Sequence, residues 1–172
     1  KASDLVFLDE SGCNTDMTRR YAYSLGGSRA IDSAPLSKPK NTTILSSIQL
    51  DGTLRYTTFS GGTTVERFKR YLETDLLPHL NGNSVLIMDN MKSHHAKAVK
   101  NLLDSSGVRY IYLPPYSPDL NPIEKLWSKV KAFLRKFKAR TLDALPNAIQ
   151  NTFHAVTVSD CSGWFRFCEY AL

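Results

Sequence analysis

Three carboxylates stand at positions from which they could share one task. Asp9 closes the run "DLVFLD", Asp89 closes "SVLIMD", and Glu124 follows the loop "YLPPYSPDLNPI". Each has an ordinary structural explanation. An acid at the end of an apolar strand commonly holds a turn, and Asn90 and Ser93 could cap the helix expected after Asp89, leaving that acid free. Glu124 falls at the third position of a helix with Asn121 as N-cap and Pro122 first, where a capping-box glutamate reaches back to the cap. The joint case is stronger. If the strands carrying Asp9 and Asp89 are parallel neighbours, both acids emerge at one end of the sheet, where α/β folds place their ligands. Pro114, Pro115, Pro118 and Pro122 restrict the routes by which the loop can deliver Glu124 over that end. Gathered carboxylates repel one another unless cations neutralise them, and hard oxygen donors suit Mg²⁺ or Mn²⁺. Two such ions, ~3.5–4 Å apart, suit displacement at a phosphodiester. Glu10 should face the opposite side of its strand from Asp9, because side chains alternate, so it is left out of the cluster.

The elements that would position these acids can be read in order. Residues 4–9 form a buried strand, 10–41 read as irregular with turns at "LGGS" and "PLSKPKN", and "TTILSSIQL" and "LRYTTFS" flank the Asp51–Gly52 hairpin signal. In "TTVERFKRYLETDLLPHL", Val65, Phe68, Leu72 and Leu76 share a helical face, with Thr63 and Glu66 at capping-box spacing. A strand over 84–90, a helix over 93–107 closed by Gly107, a strand "VRYIYLP" and a helix from Pro122 to about Lys138 follow, then a helix near 141–156 and an aromatic tail. On the long helix Ile123, Leu126, Trp127, Val130, Phe133, Leu134 and Phe137 form one stripe, with Glu124 at its edge, aligned with Ser128, Lys131 and Arg135. Strands alternating with helices after an initial meander predict a single α/β domain over 1–172, built on a five-stranded mixed sheet.

A net charge of +6 and a pI near 9.3 favour polyanionic partners. Lys92, Lys125, Lys129, Lys131, Arg135, Lys136 and Lys138 are candidate phosphate contacts, with Lys131 and Arg135 best placed by the helical wheel; a solvated basic face is the alternative. Cys13, Cys161 and Cys168 are odd in number and lack paired spacing, so buried thiols in a reducing cytoplasm are expected. No apolar run suits a membrane span or a signal peptide.

"VFLDESG", "LIMDN…H" and "YSPDLNPIEKLW" together resemble, in order and spacing, the catalytic domain of DDE transposases of the mariner superfamily, especially its bacterial insertion-sequence branch. Thirty-four residues separate Asp89 from Glu124, an interval characteristic of the branch whose third acid is glutamate. The resemblance implies a ribonuclease H-like fold, Asp9, Asp89 and Glu124 as holders of two Mg²⁺ or Mn²⁺ ions, and Asn90, His94 and Asn121 as supporting residues. It implies cleavage and strand transfer of DNA at the ends of a mobile element, a homodimer on DNA and action at a bacterial chromosome. The family's helix-turn-helix region, which reads inverted repeats, has no counterpart in these 172 residues. A ribonuclease H-type or junction nuclease that does not join strands, and a non-catalytic DNA-binding remnant of a decayed element, are the competing functions.

Overall fold

The computed structural model describes residues 1–36 and 39–171. Among them five strands form one sheet: β1 (Leu5–Cys13), β2 (Thr42–Gln49), β3 (Leu54–Ser60), β4 (Val85–Met88) and β5 (Arg109–Tyr112), in the order β3-β2-β1-β4-β5. The first three are antiparallel, whereas β4 joins β1 and β5 in parallel, so the expected mixed sheet is present. The β2–β3 turn forms at the predicted Asp51–Gly52, where Gly52 adopts φ 87° and Asp51 Oδ1 accepts from the Thr53 N–H. The "LGGS" turn closes through Ser28 N–H to Leu25 O. The turn expected in "PLSKPKN" falls on Ser37 and Lys38, outside the described residues.

β1 runs four residues further than expected. Its continuation through Cys13 is held by the antiparallel ladder to β2, from Asp9 opposite Ser46 to Cys13 opposite Thr42. Asp9 is thus not at the end of its own strand but at the level where β4 stops, since the last parallel pair is Leu8 with Met88.

The helices sort onto the two faces by the alternation of the strands. Phe7, Ile44, Ile48 and Ile87 point to one face, against α3 (Ile123–Phe137), α4 (Ala144–His154) and α5 (Val158–Phe167). Val6, Leu8, Leu45, Leu86 and Met88 point to the other, against α1 (Val65–Tyr71) and α2 (Lys97–Ser106). Burying a side chain such as Phe7, which packs edge-on to Phe165 and Tyr170, stabilises the fold by about 2–3 kcal/mol.

Several helix expectations are corrected. Thr64, not Thr63, caps α1, its hydroxyl accepting from the Arg67 N–H at 3.3 Å. The regular helix stops at Tyr71 and continues as a widened π turn over Leu72–Leu76, because in a regular helix the ring of Pro78 would meet the Thr74 carbonyl. α2 starts only at Lys97, since residues 91–95 fold into tight turns such as His94 N–H to Met91 O; Gly107 closes it as predicted, at φ 72°. On α3 Ile123, Leu126, Trp127, Val130 and Leu134 of the stripe are buried, but Phe133 is half-buried and Phe137 is 51% exposed. The last predicted helix is shorter than expected, and the aromatic tail is itself a helix, α5, begun by a complete capping box between Thr157 and Asp160.

Candidate functional site

Because β1 and β4 are parallel and in register, Asp9 and Asp89 follow directly on the paired Leu8 and Met88. Parallel neighbours lie ~4.8 Å apart, so the two acids leave the sheet side by side. The Met88 carbonyl also receives the Leu113 N–H at 2.8 Å, which starts the proline loop on its course over this edge. That loop ends in α3, whose first turn carries Glu124. Asp9, Asp89 and Glu124 line one cavity of about 640 Å³, with Asn90, Asn121 and Lys131 among its other walls.

Asp9 is 7% exposed, and both its oxygens are engaged: Oδ1 accepts from the Glu10 N–H at 2.7 Å and Oδ2 from the indole N–H of Trp127 at 3.1 Å. Burial nevertheless pushes its carboxyl up to about 7, with the charges of Asp89 and Glu124 adding to the effect. Trp127 was expected only as a core residue of α3. It is core, and it also fixes the acid from below.

Asp89 is handled differently. Its Oδ1 accepts from the Met91 N–H at 3.1 Å, so Asp89 itself makes the turn that Asn90 and Ser93 were expected to hold. Asn90 instead meets the Nε2 atom of His95, and the buried Ser93 hydroxyl has no partner among the described residues. His94, fully buried and stacked on Phe68 at 4.2 Å, places Nδ1 2.8 Å from Asp89 Oδ1 and Nε2 3.2 Å from Glu10 Oε2. Burial alone would lower the imidazole, but the two carboxylates raise it to about 9, so both ring nitrogens donate at neutral pH. Burial likewise would raise Asp89, yet the bond and charge of His94 hold it below the usual carboxylate range. The two aspartates are therefore set apart, one made reluctant to ionise and one held ionised.

Glu10 was excluded from the cluster by strand alternation, and that geometry is correct: it lies on the α1–α2 face. It still reaches the site, because His94 spans the end of the sheet from Glu10 to Asp89. The signal available in the sequence was the adjacency of two acids at a strand opposite a later histidine, which periodicity alone does not connect.

The expected capping box of α3 is absent. Pro122 begins the helix without a side-chain cap, and the Glu124 N–H bonds to the Asn121 carbonyl at 3.1 Å rather than to its side chain. Asn121 lines the cavity instead, and Glu124 is exposed and free of capping. Tyr116, on the cavity rim, is fully exposed and holds φ 59°, a conformation costing about 1–3 kcal/mol for a bulky residue.

Among the predicted phosphate contacts, Lys131 lines the cavity, and Arg135 lies one turn further along α3 beside a second cavity. Lys125 sits over the Phe167 ring at 3.6 Å, while Lys129 and Lys138 pair with Asp160 and Asp32. Lys92 is exposed and lines neither cavity. The three cysteines are buried free thiols, as expected. Among the described residues no helix is long and apolar enough to cross a membrane.

The chain is similar in sequence and in fold to known proteins. The transposase of the Tc1 element of Caenorhabditis elegans is 29% identical over 97 residues, a match covering 54% of this chain and 36% of that transposase. The Mos1 mariner paired-end complex with Mn superposes with a TM-score of 0.82 at 21% identity, over 98% of this chain and 54% of that chain. The catalytic domain of Mos1 mariner transposase gives 0.73 at 18% identity, over 98% and 78%. The chain thus spans about a third of the Tc1 transposase and about half of the Mos1 chain. These likenesses establish a ribonuclease H-like fold. The profile of the DDE superfamily endonucleases matches residues 4–146, most of the sequence, and the chain belongs to that family.

Proposed function

We propose that this chain is the catalytic domain of a Tc1/mariner-type transposase that cuts and joins DNA strands at one site formed by Asp9, Asp89 and Glu124, acting as one unit over residues 1–172. The observation that carries this is the convergence of three carboxylates from β1, the β4 end and α3 on one cavity. Their donor chemistry suits Mg²⁺ or Mn²⁺, and the Asp9 carboxyl is raised first by burial and further by the charges of Asp89 and Glu124, a setting that a cation would relieve. Among the described residues no three His, Cys, Asp or Glu side chains already close into a metal cage, so the fit is one of donor type and placement. Two such ions, when bound, would activate the attacking oxygen and stabilise the leaving one.

The chain's own residues do the rest. Trp127 and the Glu10 N–H orient the two oxygens of Asp9, each of which keeps a lone pair free for the cavity. His94 keeps Asp89 ionised and its rotation fixed. Glu124, held by no side-chain bond of its own helix cap, can move to meet the aspartates. Lys131, which lines the same cavity, is the cation available to a phosphate bound there.

The finer placement in the bacterial insertion-sequence branch, with action at a bacterial chromosome, rests on the motif resemblance; the Tc1 relative is from a nematode. Work on paired DNA ends is supported by the likeness to the Mos1 paired-end complex, and a homodimer by the motif resemblance alone.

Glu124→Gln, Asp9→Asn and Asp89→Asn should each reduce Mg²⁺-dependent nicking of transposon-end DNA by at least about 100-fold. Glu124→Gln should leave the thermal midpoint nearly unchanged, because the side chain is exposed and caps nothing. Supplying precut ends separates the rival enzyme: nicking that persists without any joined product would favour a simple nuclease. Retention of nicking by Glu124→Gln would remove the three-acid site.

A further inference from the structure

Residues 14–20 leave β1 and cross α3, and Arg140 ties them down. Its Nη1 donates to the carbonyls of Thr15 and Met17, each at 3.0 Å. Between this loop and α3 lies a second cavity of about 450 Å³, whose charged walls are Arg20, Lys131, Arg135 and Asp16. Among the described residues, Arg20, Lys131 and Arg135 form no ion pair, whereas Lys129 and Lys138 of the same helical region are matched to Asp160 and Asp32. Burial, and then the neighbouring Arg20, hold the Arg135 guanidinium below its usual range. Crowded like charges with a single acid opposite them are costly until an anion arrives.

The position of this cavity is informative. Lys131 lines both cavities, so the basic one continues from the carboxylate one along a single face of α3. Lys131 and Arg135 are four residues apart and therefore neighbours on that face. Two guanidiniums offer the planar fork that matches phosphate oxygens, with a lysine as a point charge beside them.

We propose that this second cavity is a phosphate subsite that grips one backbone phosphate of the DNA strand, just along the chain from the reacting linkage. Arg20 and Arg135 supply the fork, and Lys131 joins the subsite to the carboxylate cavity. The inference rests on DNA being the substrate, and it sets the direction of the strand: from the three acids along α3 toward the loop after β1.

The test is binding, measured apart from cleavage. Anisotropy of a labelled duplex, titrated with the full chain in EDTA over a range of NaCl, gives the affinity and its salt slope. The double variant Arg20→Gln/Arg135→Gln should bind about fivefold more weakly near 0.1 M salt, with the slope reduced by about one, as for one lost phosphate contact. Lys97→Gln, on the opposite side of the sheet, should match the parent, and Arg135→Lys, which keeps the charge without the fork, should keep the salt slope while binding about twofold more weakly, and so guard against misfolding of the double variant. Neutral methylphosphonates placed singly along one strand should weaken the parent at one linkage, and that linkage should no longer matter in the double variant. An unchanged slope, a slope lowered by two, or a variant still sensitive at the same linkage would overturn the subsite. Absence of Mg²⁺-dependent nicking in the parent would instead count against the catalytic reading, and the binding result would stand separately.

Discussion

Two aspartates one strand apart are given opposite electrostatic settings, and pH should expose the difference. Asp9 has a folded-state carboxyl near 7 against an ordinary 3.8, so the folded protein holds that proton more tightly than the unfolded chain. The stability this provides is present at low pH and is lost as pH rises from about 4 to about 7. The full loss is on the order of 4 kcal/mol. His94, raised from 6.5 to about 9, contributes stability that is present below 6.5 and lost as pH rises through 9. Metal-free protein should therefore show a thermal midpoint that falls steadily between pH 5 and 9. Asp9→Asn should flatten the lower part of that curve, and Mn²⁺ added at pH 8 should restore the midpoint of the parent but not of Asp9→Asn. At the same scale, Glu10 acts through His94 on Asp89. Glu10→Gln should leave the fold intact and raise the Mn²⁺ concentration needed for half-maximal nicking by about tenfold, the usual effect of removing a partner behind a metal-holding group. An unchanged Mn²⁺ requirement would show that the Glu10 contact is packing only.

At the scale of elements, the end of α5 and the residues just after it brace the proline loop. The Tyr170 hydroxyl donates to the Leu120 carbonyl at 2.9 Å, and Phe167 lies under Lys125 beside Glu124. Tyr170→Phe should cost little stability, about 1 kcal/mol, yet lower nicking more than a surface change would, because it frees the loop that aims Glu124. Thr157→Ala, which opens the capping box of α5, should cost about 1 kcal/mol by denaturant titration. These effects were not visible in the sequence when "WFRFCEY" read as a tail, although the Thr157-x-x-Asp160 spacing was there to mark a helix start. The β-hairpin, the buried strands and the stripe of α3 were legible because their signals are local: a turn dipeptide, an apolar run, a period of 3.6. The extra length of β1 was not, since it depends on β2 arriving from thirty residues away to pair with it. The three candidate acids could be singled out because the end of an apolar run and a proline loop are local features. The Trp127 bond to Asp9 and the Glu10–His94–Asp89 bridge join residues 118 and 84 positions apart, and no pattern along the chain reports such contacts.

Across the whole molecule, one sheet separates two cores of different make. The α3–α5 side is the larger and carries Phe165, while the α1–α2 side carries Phe68, each fully buried. Phe165→Leu and Phe68→Leu should each destabilise the fold by about 1–2 kcal/mol. The second should also impair nicking at temperatures where the protein remains folded, because Phe68 stacks on His94. Comparing activity with the folded fraction from circular dichroism would reveal the excess loss. This bears on how the chain can be searched genetically. Asp9 and Glu10 are consecutive letters, yet one answers to the core beneath α3 and the other to the core beneath α1. A selection for inactive variants would consequently return lesions from both sides of the sheet and draw no boundary around the carboxylates. Only a screen that scores metal requirement alongside activity would sort the damaged scaffold from the damaged chemistry.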